Sequence, residues 1–340
     1  MPDQHFVSHE ACDRIVLPSP FVEQVTLAEI SPRDKPWDKH KKNAEIISCY
    51  YKKGGMDKYA ERVYLCSRFL DFRIVKNKIN AQKRLKLYSA RFCRVRHCPI
   101  CQWRRSLMWK AKAYEALPKV ITDYPENRWL FLTLTLKNCQ LTDLRNTLDH
   151  MNKAFKRLTE LKAFPGIGWI KSIEITRGRD GKSTHPHIHC LILAKPSYFK
   201  SDYLSKQDWI SLWQQCLRID YKPVIDIQAV NPSGSPVGLI AEILKYQCKE
   251  SDLCADVDWF LEYVHQVHKT RSVSVGGVLR GYFKDLEREP EDLIGNDGES
   301  PENGISIQFQ WNSRLKQYIM VSNAPCITPI VYDTKYQDTG

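Results

Sequence analysis

The sequence predicts an α+β protein, and three observations predict it. Residues 128–136 (RWLFLTLTL), 168–176 (GWIKSIEIT) and 187–193 (HIHCLIL) alternate apolar with other residues and are rich in β-branched types, the pattern of strands. The last two flank a turn, RGRDGKS, short enough to close a hairpin. Around them lie stretches whose apolar residues recur three and four apart, the period of helices.

In chain order, residues 1–57 are polar and irregular, and SPRDKPWDKHKK reads as an exposed arm. Residues 58–72 have helical spacing, and 104–117 form a helix that Pro118 should end. After the strand at 128–136, residues 142–161 form an amphipathic helix opened by an N-cap threonine. Past the hairpin, 208–217 read as helix, 224–230 as strand and 238–249 as helix. The organisation expected is a polar arm (1–57), a basic Cys-rich segment (58–120), a sheet-bearing domain (121–285), an acidic linker (286–303) and a C-terminal hairpin and tail (304–340).

No apolar run approaches the roughly 18 residues of a membrane span, and the start lacks the basic-then-apolar pattern of a signal peptide, so a cytoplasmic location is expected. Cysteines there stay mostly reduced, and clustered ones suggest metal. The net charge of +12 favours a polyanionic partner. From Phe72 to Tyr114 there is no Asp or Glu among many cations, including Arg94, Arg96, Arg104 and Arg105. The interleaved Tyr88, Phe92, Trp103 and Trp109 suit stacking on unpaired bases while the cations track phosphates.

Three motifs carry chemistry. Cys93, Cys98 and Cys101, in RFCRVRHCPICQ, have the spacing of a structural zinc site, with Cys66 the first choice for fourth ligand and His97 the alternative. In STHPHIHCLIL, His185, His187 and His189 share one strand face, which points to a metal or phosphate site. On a helix, Glu242, Tyr246 and Lys249 would share a face, where a cation favours the reactive phenolate. Taken alone, that tyrosine is as well explained by packing. GRDGKST has too few residues between its first glycine and Gly-Lys to be a phosphate-binding loop, so no ATP site is expected.

In the order RFCRVRHCPICQWRRSL, FLTLTLKN, HPHIHCLIL and EILKYQCKESD, the motifs resemble the rolling-circle plasmid replication initiators (Rep), in particular the Gram-positive plasmid replication protein type 1 family, which has cyanobacterial members. The resemblance spans about residues 58–252. It implies an HUH endonuclease fold, an antiparallel sheet backed by helices, in which His187 and His189 hold a divalent cation, Mn²⁺ or Mg²⁺. It further implies that Tyr246 attacks a phosphate of plasmid origin DNA, presented as a single strand or hairpin, leaving a 5′-phosphotyrosyl link and a 3′-OH primer. Glu174 is the first choice for a third metal ligand and His185 the second; Glu242 matches the family's base for the terminating cut. Helicase, polymerase and single-strand-binding protein would come from the host. Other HUH nucleases (relaxases, transposases), a histidine-triad nucleotide hydrolase and a zinc-stabilised single-strand-binding protein are the competing readings.

Overall fold

The computed structural model describes residues 24–76, 83–230, 247–284 and 301–321. Residues 1–23 of the expected polar arm lie outside the described residues, and the rest of it, including SPRDKPWDKHKK, is largely helical. After α1 (Leu27–Ile30), helix α2 (Pro36–Lys53) starts with proline at N1 and lies against the core. Trp37 is 1 % exposed, packed edge-on against Trp103 and Tyr318. The polar residues that suggested an arm find their partners far along the chain. Lys41 Nζ donates to the carbonyls of Tyr64 and Cys66, both at 2.6 Å, and His40 meets Glu250 at 2.6 Å.

The helix expected over 58–72 ends early, as α3 (Asp57–Leu65), and the chain turns through Ser67 at φ 50° into strand β1 (Phe69–Lys76). β1 pairs with β2 (Lys83–Ala90) on one side and with β9 (Pro301–Asn312) on the other; β10 (Gln317–Met320) completes a four-stranded antiparallel sheet in the order β10-β9-β1-β2. Its inner face buries Leu70, Phe72, Leu85, Ile307, Phe309 and Tyr318. The hairpin expected near the C-terminus thus forms, and it belongs to the sheet begun by β1.

Helix α4 (Pro99–Asp123) runs through Pro118, which was expected to end it. A proline removes one hydrogen bond, to the carbonyl four residues back, and here that residue is Tyr114, 57 % exposed on the solvent side. The apolar side of the following turn, Leu117 and Val120, is buried, and this packing carries the helix onward.

The second sheet is also antiparallel. It contains β3 (Arg128–Thr135), the short β4 (Cys139–Gln140), β5 (Gly166–Arg177), β6 (Ser183–Ala194), β7 (Ile225–Ala229) and β8 (Val273–Gly277), in the order β7-β3-β6-β5-β8 with β4 beside β6. One face, bearing Leu132, Ile173, Ile188 and Cys190, is covered by α5 (Leu144–Glu160) and α6 (Lys206–Leu217). The other face, at Trp129, Ile170, Leu191 and Leu193, is covered by the C-terminal half of α4 and by α9 (Leu279–Lys284). Between them α7 (Glu250–Leu253) and α8 (Val257–Gln266) pack towards α2. Of the helix expected over 238–249, residues up to 246 lie outside the described residues. Lys249 has extended backbone (ψ 142°) and stands as N-cap of α7, so no helix reaches it from Gln247.

Candidate functional site

The histidine motif lies on β6, the central strand. Alternation sends Thr184, Pro186, Ile188 and Cys190 into the core and leaves His185, His187 and His189 on the opposite face, as the period of two required. Pro186 is tolerated because it falls in the gap between two neighbours: β3 reaches only to His187 (opposite Thr135), and β4 begins at Thr184 (opposite Cys139). Glu174 on β5 stands directly opposite His187. The apolar cover from α4 and α9 ends at Leu191, and beyond it His187, His189 and Glu174 are part-buried, with the Phe131 ring stacked on His189.

Here His187 Nε2 and His189 Nε2 approach Glu174 Oε2 at 3.3 and 3.1 Å. Hydrogen bonding from His187, then from His189, holds the Glu174 carboxyl well below the usual carboxylate range. His187 Nδ1 faces the His185 carbonyl at 3.2 Å, which can only accept, so the ring presents Nε2 to the site; Thr133 Oγ1 meets His189 Nδ1 at the same distance. A proton or a cation must then sit between the two Nε2 atoms and the carboxylate, and two imidazoles with one carboxylate can hold a divalent metal. Second-contact groups on both Nδ1 atoms are the usual support of metal-binding histidines. Of the two choices for a third ligand, Glu174 converges on the histidines, whereas His185 stands beside the set, its ring 5.5 Å from that of His187.

Beyond Ser272, whose carbonyl accepts from Ile173, β8 no longer covers β5. The next outward N–H, that of Ile175, donates to the carbonyl of Gln247 at 2.7 Å. The residue after Tyr246 is thereby fixed beside Glu174. Tyr246 and Glu242 lie outside the described residues; Lys249 is exposed at the start of α7.

The four cysteines also meet. Cys66 follows α3, Cys93 lies in the loop after β2, Cys98 caps α4 and Cys101 is in its first turn, and all four thiols are buried, free and within 4.8 Å of one another. Cys66 Sγ and Cys93 Sγ stand 3.7 and 3.6 Å from Cys101 Sγ. Four sulfurs at about 2.3 Å from a tetrahedral ion would be about 3.8 Å apart, so the set fits one metal. The backbone N–H groups of Cys93 and Val95 point at Cys66 Sγ and Cys93 Sγ (3.4 and 3.5 Å), and the Lys41 ammonium is close by, which suits a negatively charged thiolate cluster. His97 is not part of it. Its ring packs edge-on against Tyr263, and burial pushes its pKa down to about 3.

Among the arginines expected to meet DNA, Arg94 is exposed and Arg105 half-buried. Arg96 is engaged within the chain: its guanidinium donates to the Val267 carbonyl (3.0 Å), Gln247 Oε1 (2.7 Å) and Thr270 Oγ1 (3.1 Å). Arg104 is buried, over the rings of Trp37 and Phe92. Sequence reasoning missed this brace from the cysteine loop to Gln247, which no local pattern announces. It also missed Thr133, which the alternating threonines of FLTLTL could have signalled, because they face the histidines across the β3–β6 ladder.

Comparison with known proteins gives the chain's relatives. The family model described as Replication protein matches residues 84–319. The chain is 35 % identical to a Protein rep of Lactiplantibacillus plantarum, over 68 % of this chain and 76 % of that protein. To the Protein rep of Streptococcus pneumoniae serotype 2 it is 29 % identical, over 85 % of this chain and 92 % of the other. A third relative, from Lentilactobacillus hilgardii, is 31 % identical over 76 % of this chain and 85 % of its own. No solved structure matches. The match spans both cysteine and histidine motifs, and the chain belongs to this replication protein family, as a plasmid replication initiator.

Proposed function

We propose that the chain starts plasmid replication by cutting one strand of origin DNA, with Tyr246 as nucleophile on an HUH-type sheet. The observation that carries the reading is the convergence of His187, His189 and Glu174 on one sheet face next to Gln247, the residue that follows Tyr246. A divalent cation on this set, Mn²⁺ or Mg²⁺, would polarise the scissile phosphate. The tyrosine oxygen bonds to phosphorus, the bond from phosphorus to the 3′ oxygen breaks, and that oxygen takes up the proton the tyrosine gives up. The products are a 5′-phosphotyrosyl link, which keeps the bond energy for rejoining, and a 3′-OH that primes a host polymerase. No nucleotide is consumed, in keeping with the GRDGKST stretch being a hairpin turn closed by Asp180, whose Oδ1 accepts from the N–H groups of Lys182 and Ser183.

Glu242 serves as the base for a terminating hydrolysis, which would release the enzyme without a new adduct. The thiolate set holds zinc, because soft sulfur ligands select it over the hard cations of the histidine site. Arg94 and Arg105 are the cations of the original DNA-contact set left facing outward or partly so.

The reading is tested by incubating the protein with a single-stranded origin oligonucleotide and Mn²⁺ and running a denaturing gel. Wild-type protein should give a covalent adduct, and Tyr246→Phe, which removes only the hydroxyl, should give none. An undiminished adduct from the variant would move the nucleophile elsewhere.

A further inference from the structure

The outer face of the four-stranded sheet is built differently from its inner one. Phe69 on β1 is 53 % exposed and Tyr88 on β2 is 45 % exposed; Tyr64, at the end of α3, is 41 % exposed. Tyr88 stands where the β1–β2 register shifts, since Phe72 is opposite Leu87 but Asp71 is opposite Ser89. Alternation after the buried Leu87 turns the Tyr88 ring to the outer face, and the bulge leaves it without a cross-strand partner. The Arg73 guanidinium lies 3.2 Å above the Tyr88 ring, and Arg68 lies 5.3 Å above that of Tyr64. A groove of about 400 Å³ opens beside them, lined by Arg68, Phe69, Ser89, Arg91 and Gln308. Asp71 is the one carboxylate in its lining, and its Oδ1 accepts from Ser306 Oγ. Of the other aromatics interleaved with the cations of the basic tract, Phe92 and Trp103 pack on Trp37, and Trp109 packs towards Phe283.

We propose that this face is a second DNA-contact surface, separate from the cutting site, that holds single-stranded DNA flanking the cut. Guanidinium groups over tyrosines present planar cations and N–H edges to phosphates, while exposed ring faces offer stacking that only unpaired bases can use. A paired duplex would meet the cations alone. The inference rests on DNA being the substrate, though not on how the strand is cut.

The test uses the full chain and a labelled oligothymidine of about 30 nucleotides without origin sequence. A Phe69→Ala, Tyr88→Ala double variant should bind it at least about ten-fold more weakly, while cutting of a short oligonucleotide confined to the nick site stays at the wild-type rate. Arg73→Gln with Arg91→Gln should flatten the dependence of log affinity on log salt, by about 0.7 for each charge removed. Cross-linking of wild-type protein to iodouracil-substituted oligonucleotide should label Phe69 or Tyr88, a readout independent of variant folding. Unchanged affinity, labelling confined to other segments, or an equal loss for duplex would overturn the proposal. Loss of the Tyr246 adduct reading would leave these binding results standing.

Discussion

Lys171 is a cation where the sheet needs an apolar side chain. It points from β5 into the layer under α5, 6 % exposed, with its ammonium on Asn152 Oδ1 (2.7 Å) and 4.6 Å from the Phe155 ring. Burial pushes its pKa down to about 8. Below pH 8 both the folded and unfolded chains carry the charge, and the cost of burying it is fully present. Between there and the ordinary value near 10.5, the unfolded chain binds the proton that the folded one has released, so stability rises with pH. Lys171→Met removes the group, and its stability advantage or deficit relative to wild type should shift against the variant by up to a few kcal/mol between pH 7 and 10. Denaturant unfolding at a series of pH values checks this, and a pH-independent difference would contradict it. At this scale, much of the site was legible. A period of two set His187 and His189 on one face from the sequence alone, and pairing of the two hairpin strands brought in Glu174. The position of Gln247 was not, because it depends on β8 ending where it does.

Helix α4 joins the cysteine set to the histidine set. Its first turn carries Cys98 and Cys101, and its C-terminal half lays Ala113, Ala116, Leu117 and Val120 on the face of the sheet that continues into His187 and His189. The loop ahead of it sends Arg96 to Gln247, so ordering of the cysteines is mechanically tied to the edge of the histidine site. Cys66→Ser should therefore lose bound zinc, lower the thermal midpoint by several degrees and slow nicking, although Cys66 is in no contact with the histidines. Metal analysis and calorimetry check it; full zinc content in the variant would remove Cys66 from the set. The elements least legible in sequence are those whose polar residues are satisfied at long range. α2 looked like an arm because Lys41 and His40 find their partners at Cys66 and Glu250, and α4 appeared to stop at Pro118 because local rules cannot see the packing that carries it on.

At the scale of the whole molecule, strand and helix types were largely readable, while the assembly of two sheets was not. Nothing local says that β1 needs β9 as its neighbour. That pairing has a temporal consequence. During synthesis a chain emerges from the ribosome amino end first, and domains tend to fold as they appear. Here β1 has one edge, and the apolar layer of Leu70 and Phe72, unfinished until Pro301–Asn312 has been made. A nascent chain that has not reached Pro301 therefore carries a first sheet with one edge open, although every strand of the histidine-bearing sheet has already been made. Ribosome-arrested chains of increasing length should gain protease resistance in residues 36–90 only once β9 and β10 have cleared the exit tunnel; resistance in chains ending before residue 301 would show that the first sheet closes without them.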